Sequence, residues 1–467
     1  MPSNHDGERG MSSMKNTIAI HRIDHVRAEV DKCAHFGFCT AVCPTYVLDG
    51  DEHDSPRGRI ALAKEMLAHD GPPSALAVKH LDRCLSCLSC ETTCAAGVSY
   101  REIIDGARQH IEASGVRPLP QRALRSLVAR TLTTPALLRP AVALATRLPG
   151  VAARMPGPLG ALAGLARAPG LAALKGRSAA PPVRNDAPPQ RRVALLSGCA
   201  QSVLGAEIND AALRLLARAG IHVQPTPAGL CCGALDLHMG RRKPAVRHML
   251  KLVRTLDAAL AEGRIDAVLA TTSGCMSVMQ HYDEVLSDHP ERREAGARVK
   301  HATRDVTQFA QELALAPTGA AAGLIVSYHD ACSLNHGLRL KRPPRQALRD
   351  AGLQVRDIAE AHLCCGSAGT YNILQPEISE RLGRRKAMHA ANASPDVIAA
   401  GNMGCLVQMS RYTDVPVAHT VQLLDWATGG PAPRGLEHYV PRAVVAEEAP
   451  AVPETANVTA DAGDSFW

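Results

Sequence analysis

Cys84-Leu85-Ser86-Cys87-Leu88-Ser89-Cys90-Glu91-Thr92-Thr93-Cys94, with the earlier run Cys33-Ala34-His35-Phe36-Gly37-Phe38-Cys39-Thr40-Ala41-Val42-Cys43-Pro44, decides how the rest of the chain is read. Thiolates two or three residues apart can close on one iron–sulfur cube, because neighbouring irons are only a bond or two apart. The other eight of the 15 cysteines form two matching sets, Cys199/Cys231/Cys232/Cys275 and Cys332/Cys364/Cys365/Cys405, and none is left over. Such a chain is built to hold metal–sulfur centres and move electrons.

Working outward, Ser55-Pro56 reads as a helix start, a capping serine followed by proline in the first turn. Ile60, Ala63, Met66 and Leu67 follow at helical spacing, and Ile103, Ile104, Ala107 and Ile111 define a second helix that stops near Gly115. About forty residues, at least partly helical, therefore separate Cys43 from Cys84. This arrangement resembles an α-helical double-cluster ferredoxin over residues 18–116, preceded by a polar, disordered tail at 1–17. In ferredoxins of that kind the fourth cysteine of each run ligates the other run's cluster. The resemblance implies one [4Fe-4S] centre on Cys84, Cys87, Cys90 and Cys43, and another on Cys33, Cys39 and Cys94. Phe36 stands where the second centre expects a cysteine, and a phenyl ring offers iron no lone pair. Three outcomes stay open there: a [3Fe-4S] centre, a four-iron centre with water or His35 on the open iron, or none. Structural zinc is the competing use of the same thiolates.

Residues 117–190 shift to Pro, Ala, Leu, Gly and Arg, with Pro135, Pro140, Pro149, Pro156 and Pro158 cutting the stretch into short pieces. Each piece is too short to be a stable helix alone. The stretch reads as an inter-domain helical linker or, alternatively, as a basic amphipathic surface for a partner subunit or membrane headgroups.

From residue 191 the chain repeats itself. Val193–Leu196 and Gly323–Val326 read as buried strands leading to Cys199 and Cys332, and Asp266–Ala270 and Asp396–Ala400 as strands leading to Cys275 and Cys405. Between them lie Cys231-Cys232-Gly233 and Cys364-Cys365-Gly366, with an offset between copies of 133 residues at the first three cysteines and 130 at the last. Two α/β units result, 191–318 and 319–430, and a Pro/Ala/Glu-rich tail is expected over 431–467. Adjacent thiolates can both reach a centre only if the backbone turns sharply, which Gly233 and Gly366 permit. Iron–sulfur, zinc and a redox disulfide all fit these sets by spacing. His238, His329 and His336 lie near them in sequence as hydrogen-bonding neighbours, and Asp330 reads as a turn or capping residue. The fold class is thus α+β multidomain: a helical double-cluster domain followed by two repeated Cys-Cys-Gly units.

Bulk properties narrow the function further. At 467 residues there is room for several cores; aromatics are only 3 %, so Leu, Ala, Val and Ile must do the packing. The net charge of +7 comes without a basic stripe interleaved with aromatics, which excludes a nucleic-acid partner. Free thiols in this number fit a reducing, cytoplasmic compartment, with a peripheral position on the inner face of the membrane as the variant. There is no Gly-x-Gly-x-x-Gly and no phosphate loop, so a flavin or nicotinamide must come from another subunit.

Taken together, the residues resemble the iron–sulfur subunits of bacterial glycolate oxidase, from Asp31 to Trp426. The resemblance rests on Gly37–Tyr46, Asp54–Arg59, Cys90–Cys94, Gly198–Gln201, Cys231–Ala234 and His362–Tyr371. Lactate-utilisation, glycerol 3-phosphate dehydrogenase and heterodisulfide reductase subunits share the Cys-Cys-Gly units. The resemblance implies flavin-bearing partner subunits that oxidise glycolate to glyoxylate, and electrons leaving this chain towards a quinone or similar carrier. The same role for lactate or glycerol 3-phosphate, or thiol–disulfide chemistry of its own, is the alternative. Phe36 and Ala95, the latter in place of a proline, depart from the family pattern.

Overall fold

A computed structural model describes residues 22–442 apart from 70, most of 148–190, 225, 228 and 314. The expected tail at 1–17 and the stretch after 442 lie outside the described residues.

The longer helices of the first domain are α1 (Ile23–Asp31), α2 (Pro56–Ala68), α3 (Ala75–Asp82) and α4 (Tyr100–Ser114). Ser55 Oγ accepts the Gly58 N–H at 3.0 Å and so opens α2, and Gly115 closes α4 at φ 69°. The apolar positions picked out by helical spacing meet in one core, where Ile60, Ala63, Met66, Leu67, Ile103, Ile104, Ala107 and Ile111 are buried with Val26 and Leu81.

Up to Arg147 the proline-rich stretch is more regular than its composition implies, while Pro149, Pro156 and Pro158 lie outside the described residues. It forms two full helices, α5 (Leu119–Thr133) and α6 (Pro135–Arg147), with Pro140 inside the second. Packing overrides the proline penalty: α5 and α6 lie side by side, and Leu138 is buried with Val128, Leu132 and Ile373 of the second Cys-Cys-Gly unit. Four strands, β1 (Arg191–Leu196), β2 (Ile221–Gln224), β3 (Ala267–Ala270) and β4 (Thr303–Asp305), form a parallel sheet in the order β2-β1-β3-β4. The second unit repeats it with β5 (Ile325–Tyr328), β6 (Gln354–Arg356), β7 (Val397–Ala400) and β8 (Val417–His419), ordered β6-β5-β7-β8. Parallel strands buried on both faces read as continuous apolar runs, as Val193–Leu196 and Val397–Ala400 do.

Helices cover these sheets, among them α7 (Ala206–Arg218), α8 (Arg242–Ala261) and α9 (Pro290–Ala302) in the first unit. The second unit has α10 (Arg342–Asp350), α11 (Pro376–Asn392) and α12 (Thr420–Ala427). The two units share one core, which runs from Val193, Leu195 and Leu215 to Val326, Val397, Leu423 and Trp426. At its edge the buried Asp425 of α12 accepts from Arg214 Nη2 of α7 at 2.6 Å and also pairs with Arg218. Residues 431–442, which composition places in a tail, pack on the second unit. Leu436 is buried, Tyr439 stands edge-on to Trp426 with centroids 5.8 Å apart, and Arg442 pairs with Asp396 at 2.8 Å.

The helical domain docks against both units. Tyr371 Oη donates to the Arg83 carbonyl at 2.9 Å, and Arg108 reaches the His238 carbonyl at 3.0 Å. Arg101 of α4 donates to Glu284 at 2.7 Å. Burial alone would raise the Glu284 pKa, but His281 and Arg101 overrule it and bring it to about 2. The depressed value means that this contact supports the docked state above the unfolded carboxyl range and is lost as pH falls through about 2. Glu284→Gln is expected to destabilise the chain at pH 7 by about 1 kcal/mol, the partial exposure of the pair keeping the figure small. Urea unfolding should show that difference narrowing as the pH is lowered from 7 to 3.

Candidate metal centres

In the two runs the loops have the same conformation as well as related sequences. An offset of 51 residues pairs Cys33, Cys39 and Cys43 with Cys84, Cys90 and Cys94. Left-handed residues recur at the paired positions, His35 (φ 56°) with Ser86 (φ 52°) and Gly37 (φ 87°) with Leu88 (φ 61°). Each loop then enters a short helical turn, Phe38–Ala41 or Ser89–Thr93, and the two turns pack together. Phe36 thus occupies the backbone position of Cys87. Its ring does not fill a core: it is 63 % exposed, with Phe38 beside it at 6.3 Å between centroids.

Cys43 leaves its own run and joins Cys84, Cys87 and Cys90 around a small pocket that Thr45, Arg59 and Tyr100 also line. The pocket supplies what a buried anionic centre needs. The Ser86 N–H lies 3.4 Å from Cys84 Sγ, the Tyr100 hydroxyl 3.8 Å from it, and Arg59 Nη1 3.7 Å from Cys43 Sγ. Arg59, itself buried, is fixed by the Thr45 hydroxyl at 2.9 Å, by Asp54 at 3.1 Å and by the His80 carbonyl at 2.7 Å. Burial works against its charge, yet Cys84, Tyr100, Cys43 and Asp54 outweigh that and hold its pKa above the ordinary arginine range. Burial raises the Cys87 and Cys90 thiols well above their usual pKa, so the pocket by itself favours the protonated thiols and a bound metal would favour the thiolates. Cys33, Cys39 and Cys94, at the other end, are half-buried.

In each Cys-Cys-Gly unit the thiols gather beyond the carboxyl ends of three adjacent strands, where open parallel sheets build their sites. Cys199 and Cys231 Sγ lie 3.6 Å apart, and Cys232 stands against Cys275. The second copy repeats this with Cys332 and Cys364 at 3.8 Å and Cys365 against Cys405. Gly233 (φ 81°) and Gly366 (φ 84°) make the turn, and a Cβ on either would meet backbone oxygen, Ala245 O at 2.8 Å or Ser379 O at 2.7 Å. All eight of these cysteines, with Cys84, open onto one mainly apolar cavity of about 630 Å³, which α6 helps to cover through Leu138, Val142 and Leu144. On the other side, Cys87 shares an apolar cluster with Cys364, Leu85 and Tyr371, against which Cys332 packs.

The histidines divide by role. His238 pairs with Asp105 at 3.3 Å and His336 with Thr92 at 2.8 Å, so both join the helical domain to the units. His329 is fully buried beside Cys365 and Cys405, with neither ring nitrogen hydrogen-bonded. Asp330 is not a turn or cap: it forms a buried ion pair with Arg345, which also reaches Asp357 at 2.7 Å. Sequence reasoning gave no role to Arg59, Tyr100 or Lys386. Lys386 could have been found by aligning the two copies, because it falls where the first copy has Val253.

A helical domain with interleaved cysteine runs, joined to twin parallel-sheet units with Cys-Cys-Gly turns, defines an iron–sulfur protein of the electron-carrying kind. The comparisons agree: residues 29–98 match the family described as 4Fe-4S dicluster domain, and residues 193–280 and 326–410 match the Cysteine-rich domain. The glycolate oxidase iron-sulfur subunit of Escherichia coli (strain K12) is 33 % identical over 85 % of this chain and 93 % of its own. Lactate utilization protein A of Geobacillus kaustophilus is 27 % identical over 47 % of this chain and 90 % of its own. The chain belongs to the family of glycolate oxidase iron–sulfur subunits, and its class is oxidoreductase.

Because Phe36 sits on a loop already shaped like that of Cys87, Phe36→Cys is expected to supply the missing thiolate. Anaerobic reconstitution followed by iron and sulfide analysis should then find about one more iron atom per chain. A gain of about four would mean that the loop with Phe36 holds no centre, and an unchanged content that it holds either four irons already or none in both forms.

Proposed function

We propose that this chain carries electrons from a flavin-bearing partner subunit that oxidises glycolate to glyoxylate, and delivers them to a quinone. The observation that carries the reading is the continuity of the sulfur sets. Half-buried Cys33, Cys39 and Cys94 lie nearest solvent, the Cys43/Cys84/Cys87/Cys90 pocket lies behind them, and Cys87 abuts Cys364 and Cys332 at the edge of the apolar cavity. In this reading Cys43, Cys84, Cys87 and Cys90 hold a [4Fe-4S] cluster, and Cys33, Cys39 and Cys94 a three-cysteine centre. The two Cys-Cys-Gly sets hold further clusters. Bound clusters supply one-electron steps, which is what converts a two-electron hydride oxidation into single transfers.

The chain's own residues do the rest. Arg59, Tyr100 and the Ser86 N–H favour the more negative, reduced state of the buried centre by donating to its sulfurs. Leu85, Tyr371 and Leu382 exclude water between Cys87 and Cys364. The exposed Phe36 and Phe38 offer the flavin subunit an apolar foothold beside the outermost centre. At the far end, α5 and α6 expose Leu119, Leu127, Leu137 and Leu144 among Arg122, Arg130, Arg139 and Arg147. That face suits an acidic membrane surface, from which a quinone would reach the apolar cavity. Among the described residues no helix is long and apolar enough to cross a membrane.

The relatives named for lactate utilization favour lactate as the second reading for the substrate. Purified flavin partner and this chain, mixed anaerobically, distinguish the two. Glycolate is expected to bleach the cluster absorbance at least ~10-fold faster than L-lactate, about 1.4 kcal/mol of discrimination in the barrier. Equal rates with glycolate and without substrate would end the assignment.

A further inference from the structure

The two Cys-Cys-Gly copies have the same sheet and the same thiols, but their surroundings differ at two aligned positions. The 133-residue offset pairs Leu196 with His329 and Val253 with Lys386. In the first unit both places are apolar and buried, at 4 % and 2 % exposure; in the second they carry an imidazole at 0 % and an ammonium at 2 %. Lys386 is accounted for, since its Nζ donates to the Glu360 carbonyl at 2.6 Å. The imidazole is not accounted for by any hydrogen bond: neither Nδ1 nor Nε2 has a partner. Buried polar atoms without a partner are rare, and each asks for a reason.

The reason lies in what surrounds the ring. A ring nitrogen of His329 and the Sγ atoms of Cys365 and Cys405 all lie within 4.8 Å of one another. Among the described residues, no three thiols of either set converge in this way, so it is the imidazole that completes a three-donor group in the second unit. Imidazole and thiolate together are an established donor set for iron and for zinc.

We propose that His329 is a nitrogen ligand to the metal atom held by Cys365 and Cys405, so that the two Cys-Cys-Gly centres differ in coordination. The first is bound by thiolates alone and the second by thiolates and an imidazole. This rests on the metal–sulfur reading given above. A neutral donor adds no negative charge, and the buried ammonium of Lys386 nearby favours electrons further. The second centre is therefore reduced before the first, and it is the one that Cys87 adjoins.

The test uses the full chain labelled with 15N-histidine and reconstituted anaerobically with ferrous iron and sulfide. Pulsed electron paramagnetic resonance, in oxidised and reduced states, should find a directly bonded histidine nitrogen. His329→Gln should abolish that coupling while the signal of the Cys43/Cys84/Cys87/Cys90 centre stays unchanged, which also shows that the variant is folded. Leu196→His should create a second coupling of the same kind. No histidine coupling in the wild type in either state, or its survival in His329→Gln, overturns the proposal. If these sites take up zinc and no iron, the electron-transfer reading of them fails separately. The coordination is then still read, as a nitrogen shell in the zinc K-edge spectrum that His329→Gln removes or, against the proposal, leaves in place.

Discussion

Negative charge brought into the interior is the constraint around which this protein is built. Sulfur ligands bind metal as thiolates, and burial disfavours thiolates strongly. Burial raises the thiols of Cys87 and Cys90, and contact with Cys231 and Cys364 together with burial raises those of Cys199 and Cys332. Two of the sets are met by a buried cation. Arg59, fixed by Asp54 and Thr45, faces the pocket of Cys43 and Cys84. Lys386 faces the second Cys-Cys-Gly set, and Leu196 and Val253 leave the first without a cation at those places.

Asp54 extends that compensation into the architecture. Fully buried, it accepts from Arg59, from His80 at 2.9 Å and from Arg83 at 2.8 Å, and so ties the opening of α2 to the end of α3. Arg83 in turn offers its carbonyl to Tyr371 of the second unit. One carboxylate therefore positions the cation beside the Cys43 thiol and shares a residue with the docking of Cys87 onto Cys364. Removing one partner of a buried charge network costs ~3–5 kcal/mol, because the remaining charges lose their compensation.

The sequence showed most of this wherever a short-range rule applied. Cysteine spacing marked every thiol, the Ser55 cap and the apolar spacing of α2 and α4 marked the helices, and the Cys-Cys-Gly turns marked the twin sheets. What stayed hidden depends on contacts across long separations. The length of α5 and α6 comes from burying Leu138 against Ile373, which no local propensity encodes. Residues 431–442 pack because Tyr439 meets Trp426 and Ala322, although their composition is that of a tail. Asp330 looked like a turn residue until Arg345 was placed beside it. Phe36 was legible as a missing ligand, but its exposed ring on an intact ligand loop was not.

The sulfur sets, as proposed above, form one connected path from the helical domain into the Cys-Cys-Gly units. Magnetic coupling between the centre on Cys43, Cys84, Cys87 and Cys90 and the centre on Cys332, Cys364, Cys365 and Cys405 tests it most directly. In the fully reduced chain the account predicts spin–spin broadening of the first signal, relieved when Cys364→Ser or Cys405→Ser removes the second centre. A first signal whose line shape and relaxation ignore those substitutions would contradict the path.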